Sequence, residues 1–399
     1  MAVEPFVLAP ILGALHAAGI PGDFSVASVR QVVSSAMLAE ITDFIRTFDR
    51  VSEREAWRAA ALREAQPGAQ IRPREVCFFS AWDFHLPPER GFKLIEFNDN
   101  GSGFLFAGII NAVCREAEPG SSGIAPPPSV AAFRRRIGDL VEREAIAFFG
   151  ELPADLFLII DDEESLQRGK FRQELRLLRD LLRERGWSAE LARPGDTRWN
   201  GRRLTFQDKP VAFVVNRSTD FFWRSGDFAP LRTAHAAGRV YAAPNPFTYA
   251  TRSDKRLLEW LSSPEWDGEL GVEPGERRML SAHVPKTRVL TADSVDRLVR
   301  RKLDFIFKPP HGFAGRGVLD GAAVGRARLR KLLRRGKTYL AQERVARPSL
   351  EVDGVTVWTD LRVWAYRGEI LAISGRASRR TDRLTLTSPG GWIPTYVSL

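Results

Sequence analysis

Residues 305–318 read FIFKPPHGFAGRGV, and how this stretch is read decides the fold. Phe305, Ile306 and Phe307 form an apolar lead into Lys308; two prolines follow, then Gly312, Gly315 and Gly317, with Gly321 beyond. Glycines let a loop approach phosphate oxygens so closely that backbone N–H groups can cradle them. A lysine on the preceding strand adds a positive charge held in place. The order is the reverse of a P-loop, in which the lysine follows the glycines. The same residues also suit a glycine-rich hairpin with a surface lysine, so the neighbouring segments have to decide.

Downstream, residues 338–345 (TYLAQERV) form an apolar strand ending in Gln342, Glu343, Arg344 and Val345. A backbone hinge there would offer an N–H and a C=O to the edge of an adenine ring; the plainer reading is an amphipathic strand end. Residues 360–369 (DLRVWAYRGE) and 374–378 (SGRAS) put Asp360, Arg362 and Arg376 on strands around the same cleft. Arginine matches carboxylate and phosphate bidentately. The plainer alternative is surface ion pairing across strands, which contributes little.

Far upstream, residues 80–85 (SAWDFH) and 93–100 (KLIEFNDN) read as strands joined by the turn chemistry of LPPERG. Side chains two apart on a strand share a face, so Glu96 and Asn98 project together. With Asp83 on the adjacent strand, three oxygen donors converge, a set suited to Mg²⁺ bound alongside nucleotide phosphates. Exposed carboxylates on a hairpin are the simpler reading. Unpaired charge within such apolar strands is costly to bury, which favours the metal.

Hydropathy patterning divides the chain further. Residues 1–75 read as a helical N-terminal region, with helices over 29–48 and 53–64. Residues 76–115 form the strand unit with the acidic cluster, and 116–150 a linker and then a helix over 130–149. Residues 151–245 alternate strands with a helix over 172–185, beginning with the apolar run LFLII at 156–160, and so predict a doubly wound α/β lobe. Residues 246–399 read as an α+β region with a mostly antiparallel sheet.

A chain of 399 residues, 44% of them hydrophobic, can bury two or three packed lobes. The net charge is +10, and the densest basic run is RARLRKLLRRGK at 326–337. Leucines at 329, 332 and 333 give that run one apolar face, so it reads as a solvated amphipathic helix. Nothing resembles a zinc finger or an RNA-binding aromatic motif. The two cysteines, Cys77 and Cys114, lack metal-type spacing, so no disulfide framework is expected and a reducing cytoplasm is. The first 20 residues lack a basic n-region and include Glu4 and Pro10, so they read as core rather than as a signal peptide. No apolar stretch is long enough to predict a membrane span.

Taken in order, NPFTYATRSDK, VPKT, KPPHGFAGRGV, QERV, DLRV, RAS and GG, all within residues 245–399, resemble the ATP-grasp core. The resemblance implies two α+β subdomains clasping ATP. Lys255 and Lys308 would hold phosphates with Gly312, Gly315 and Gly317, and Gln342, Glu343 and Val345 would form the adenine hinge. Asp360, Arg362 and Arg376 would lie near substrate or acyl-phosphate. An ordinary ATP-grasp chain continues from its GG segment into an aspartate strand and E-x-N. Here those pieces lie early, as Asp83, Glu96 and Asn98, an arrangement that resembles the circularly permuted eukaryotic-type glutathione synthetases.

In that family the turn after E-x-N and the substrate-lobe strand contact substrate, which implies Ser102, Arg217 and Phe221 or Phe222. The glycine loop here carries no acidic residue before Asp320, which implies a substrate other than that of glutathione synthetase. The expectation is an ADP-forming carboxylate–amine or carboxylate–thiol ligase using ATP and Mg²⁺. His85 and His311 would flank its site as structural or phosphate-side groups. The alternatives are a small-molecule kinase and a degenerate scaffold that binds nucleic acid or a protein partner. The expected partners are small-molecule carboxylates and amines rather than a membrane or a nucleic acid, with a homodimer left open.

Overall fold

The computed structural model describes residues 2–73, 79–87, 91–118, 123–312, 315–380 and 386–399. A six-stranded antiparallel sheet at the centre carries the fold. Its order is Gly391–Ile393, Glu369–Ser378, Val355–Tyr366, Ser80–His85 and Lys93–Asn98, with Ser349–Val352 also pairing to Val355–Tyr366. Two strands from early in the chain thus complete a sheet that the last third builds.

Alternation splits this sheet into two faces. Trp82, Phe84, Leu94, Phe97, Leu361 and Val363 pack on Ile41, Phe44, Ile45 and Phe48 of helix Ser35–Ser52 and on Leu280 of helix Pro274–His283. Asp83 and Arg362 are cross-strand partners and alternate with those apolar residues, so they point to the other face. On that face Trp364 and Ala372 pack against helix Phe104–Glu116, and the polar remainder lines a cleft.

The second layer is the α/β lobe. Ala189–Ala192, Leu156–Ile160, Lys209–Asn216 and Tyr241–Ala243 run parallel, and the antiparallel hairpin Thr197–Trp199 and Leu204–Phe206 extends them. Phe157, Ile159, Phe213 and Val215 face helices Val130–Phe149 and Arg172–Glu184. Leu158, Ile160 and Val214 face Leu231 and Ala234 of helix Ala229–Ala236. Both faces are covered, which is why LFLII is apolar without a break.

The third sheet is small and antiparallel, in the order Thr287–Val289, Leu340–Glu343, Phe305–Lys308, Leu319–Asp320. Helices Val295–Arg300 and Arg326–Arg334 cover one face, where Val295, Leu298 and Leu329 meet Phe307 and Ala341. A fourth sheet joins the two ends of the chain: Ala2–Pro5, Val29–Ser34, Thr395–Ser398 and Ile124–Ala125.

Residues 29–48, expected as a single helix, divide at Ser34. Val29–Ser34 is a strand with Val29, Gln31 and Val33 buried, and Ser34 caps the helix that follows by accepting from Met37 N at 3.2 Å. The β-branched, period-two VRQVVS was overridden in the sequence reading by the longer helical period after it. Within the expected linker that precedes the helix at 130, Ile124–Ala125 is a short strand. Cys77, the centre of the LPPERG turn and part of the VCFF segment lie outside the described residues. Cys114 is buried, and burial pushes its thiol up to about 12. Among the described residues no helix is long and apolar enough to cross a membrane.

Candidate active site

Strand register assembles the site. Asp83 stands opposite Glu96 on one side and Arg362 on the other, and Asp360 stands opposite Arg376. Arg362 clasps Asp83 through Nε and Nη2, both at 2.6 Å, and Arg376 Nη2 reaches the same carboxylate at 3.0 Å. Arg376 is in turn held bidentately by Asp360 at 2.8 and 2.7 Å. Burial alone would raise the Asp83 pKa, but the two guanidinium groups outweigh it and hold the carboxyl well below the usual carboxylate range. Burial likewise opposes the charge on Arg376, and Asp360 and Asp83 reverse that effect.

Around this network lies a cavity of about 390 Å³, lined by Glu96, Asn98, Ser102, Arg217, Lys255, Gly312, Arg362 and Arg376. Eight sequence-predicted residues from six separate stretches of the chain therefore meet in one cleft. Asp83 and Asp360 are not among them. They sit behind the arginines, and both oxygens of Asp83 are already taken. Gly315 and Gly317 adopt left-handed φ of 70° and 78°, which glycine accommodates without strain, but they do not line the cavity. Residues 313–314 of that loop lie outside the described residues.

Two lysines tie the late segments to the early hairpin. Lys255 Nζ donates to Gly312 O at 2.8 Å and lies 3.6 Å from Glu96. Lys308 Nζ is buried and donates to Ile95 O at 2.7 Å and to Gln342 Oε1 at 2.8 Å. Burial lowers its pKa to about 7, with Glu96 opposing the shift. Gln342 Nε2 is buried with no partner among the described residues.

A second cavity of about 470 Å³ is lined by Lys93, Lys286, Glu343, Arg344 and Val345. Ile95, held by Lys308, lies between Lys93 of this cavity and Glu96 of the first. His85 Nδ1 is 3.2 Å from Val345 O, and burial lowers this histidine to about 4, so it holds that carbonyl as a neutral group. His311 lines the first cavity beside Asp254, 3.7 Å away.

The first cavity runs on into the carboxyl ends of the parallel strands, the usual ligand position in an open α/β sheet. Asp161, Lys170, Phe171, Tyr249 and Trp392 line that part, and the sequence reading named none of them. Asp161 carried a usable signal, since it directly follows the apolar strand Leu156–Ile160. Burial pushes its carboxyl up to about 6. Arg217 follows the parallel strand Lys209–Asn216, donates to Asn100 O at 2.5 Å and pairs with buried Glu174 at 3.3 Å. Glu174 also accepts the N–H groups of Gly103 and Leu105 at 2.8 and 3.0 Å, which fixes the turn that carries Ser102. Ser102 Oγ donates to Asn100 Oδ1 at 2.8 Å.

Among the described residues no three His, Cys, Asp or Glu side chains cluster as a self-sufficient metal cage. Glu96 and Asn98 carry oxygens on one wall of the cleft, where Asn98 Oδ1 also accepts the long N–H bonds of Asn100 and Gly101 at 3.2 and 3.3 Å. That donor set fits Mg²⁺, which takes one or two carboxylates and completes its shell with substrate phosphates and water.

These three sheets, with the cleft between them, define an ATP-grasp-like fold of mixed α/β architecture. The chain superposes on a glutathione synthetase-like effector from Globodera pallida, solved in its apo form, with a TM-score of 0.63 and 13% identity over 98% of this chain and 95% of that one. A protein from Methylobacillus flagellatus described as a gamma-glutamylcysteine synthetase aligns at TM-score 0.48 and 10% identity, over 93% and 89% of the two chains. The ATP-grasp ligase PsnB complexed with a minimal precursor aligns at 0.32 and 12%, over 61% and 89%. The last two scores are too low to carry an argument. No family model and no curated protein sequence matches the chain.

Proposed function

We propose that this chain is an ATP- and magnesium-dependent ligase that joins a carboxylate to an amine or thiol. The observation that carries the reading is the meeting of the early acidic hairpin with the late lysines, Lys255 at 3.6 Å from Glu96 and Lys308 on the Ile95 carbonyl. The second cavity would take adenine against Glu343 and Val345. Phosphates would lie between Lys308, Lys255 and the Gly312 loop. Glu96 and Asn98 would hold magnesium, which when bound neutralises charge on the phosphoryl groups.

In this reading the substrate carboxylate takes the γ-phosphoryl group, ADP forms, and the nucleophile displaces phosphate from the acyl-phosphate. Arg362 and Arg376 face the reacting carbonyl and stabilise the oxyanion. Asp83 and Asp360 keep the two guanidinium groups aimed, so Asp83 acts through the arginines rather than on the metal. The inner part of the first cavity, walled by Phe171, Tyr249 and Trp392, would take the substrate body, with Arg217 and Ser102 at its edge. The same reading takes the order of the parts as circularly permuted, because Ser80–His85 and Lys93–Asn98 complete a sheet built by the last third of the chain.

The test is phosphate release from Mg-ATP across a matrix of carboxylates paired with amines and thiols. ADP and phosphate should accumulate only when both substrates are present. A stable phosphorylated product from one substrate alone would identify a kinase. No magnesium-dependent nucleotide binding at all would leave the scaffold reading standing.

A further inference from the structure

The chain's basic excess sits in one place. Residues 286–344, the small subdomain, hold 16 Lys and Arg against 5 Asp and Glu, a net of +11, while the whole chain carries +10. The remaining 340 residues therefore come to −1. Phosphate binding accounts for little of this. Lys308 and Gln342 point together toward the early hairpin, Lys308 Nζ donating to Ile95 O and Gln342 Oε1, whereas Phe307 and Ala341, one residue out of phase, point the other way, into the core beneath helices Val295–Arg300 and Arg326–Arg334. The cations on those helices lie across the sheet from Lys308 and Gln342.

Arg297, Arg300, Arg328, Lys331, Arg334 and Arg335 are exposed, and among the described residues none has a carboxylate in salt-bridge range. The two helices are locked together, since Asp296 accepts from Arg326 at 3.1 Å and from Arg330 at 2.9 Å. Arg328, Lys331 and Arg335 follow each other at three- and four-residue steps, a rise of about 5–6 Å each along the helix. The arrangement is a row of like charges on one helix that no carboxylate among the described residues pairs directly.

We propose that this outer face binds the sugar–phosphate backbone of a double-stranded nucleic acid without reading its sequence. A solvated helix face explains the amphipathic pattern of 326–337 but not the concentration of unpaired arginine on two adjoining helices. Single strands are held by exposed aromatic rings on which bases stack, and the only aromatics of these helices and their underlying core, Phe305, Phe307 and Tyr339, are packed inward. Anionic membranes are held by apolar wedges beside the cations. Here Leu329 is buried beneath its helix, and among the described residues Leu303 is the single large apolar side chain the subdomain exposes.

The experiment is fluorescence anisotropy of the full chain with a labelled duplex of about 20 base pairs and scrambled sequence, between about 50 and about 200 mM salt. Six phosphate contacts predict a loss of affinity on the order of 10³-fold over that range, since each contributes about 0.9 to the log–log slope. The triple variant Arg328→Gln/Lys331→Gln/Arg335→Gln should lose only about 40-fold over the same range and bind more weakly at low salt. On the other helix, Arg297→Gln/Arg300→Gln should lower the slope by about 1.8 and serves if the triple variant fails to fold. The exposed set Arg198→Gln/Arg202→Gln/Lys209→Gln, on the α/β lobe, should bind as the parent does. No duplex binding at low salt, or helix variants that match the parent, would overturn the proposal. Binding to phosphatidylserine vesicles but not to duplex would overturn it in favour of a membrane.

Discussion

Asp83→Asn separates the two roles that its position allows. As a metal ligand, Asp83 would matter for nucleotide binding, and the free protein would lose little by its removal. As the partner of Arg362 and Arg376, it neutralises one largely buried and one buried guanidinium group, with side chains 13% and 4% exposed, while its own is 9% exposed. Asparagine keeps the shape but removes the charge, so Arg362 loses both of its short ion-pair bonds and Arg376 is left with Asp360 alone. Removing one partner of a buried pair costs about 3–5 kcal/mol, because the remaining charge stays desolvated. That is a large fraction of the net stability of most domains, about 5–15 kcal/mol.

The measurement is calorimetric unfolding of Asp83→Asn beside the parent, without nucleotide, near neutral pH. A drop in midpoint of many degrees is expected. The pH dependence has a definite sign. The folded carboxyl lies below its unfolded value, so its contribution is full above the unfolded range near 4 and is lost as pH falls toward the folded value. The gap between parent and variant should therefore shrink in acid. A variant that melts with the parent at neutral pH but no longer binds Mg-ATP would refute the arginine-holding role and make Asp83 a ligand.

Three further outcomes are expected. Glu96→Gln should abolish magnesium-dependent nucleotide binding in titration calorimetry while changing stability by less than about 1 kcal/mol, since Glu96 is partly exposed and 3.6 Å from its one ion-pair partner among the described residues. Lys308→Met should weaken ATP binding about 10- to 100-fold, the value of one or two charge-assisted hydrogen bonds. It should also flatten the stability–pH profile: the folded lysine titrates near 7 and the unfolded one near 10.4, so the unfolded chain binds more protons between them and the parent gains stability as pH rises through that window. Gly317→Ala should cost about 1–2 kcal/mol, because φ is +78° there and a Cβ would sit 3.2 Å from Pro309; a melting curve matching the parent would contradict it.

Some features could be read from local order alone. Helix Val130–Phe149 and strand Leu156–Ile160 lie where hydropathy puts them, because their burial follows their own periodicity. The hairpin of Asp83 and Glu96 and the strand of Lys308 were legible for the same reason. Strand Val29–Ser34 was not, since what makes it a strand is pairing with Ala2–Pro5 and Thr395–Ser398, the latter more than 360 residues away. The role of Asp83 was hidden in the same way. Alternation shows which side chains share a face of one strand, but Arg362 comes 279 residues later, and only the register between those two strands brings its guanidinium against the carboxylate. The sequence determined which residues could carry charge into a cleft. Tertiary pairing decided which of those charges line the cleft and which neutralise one another behind it, because that depends on Coulomb and desolvation energies between groups the chain order keeps far apart.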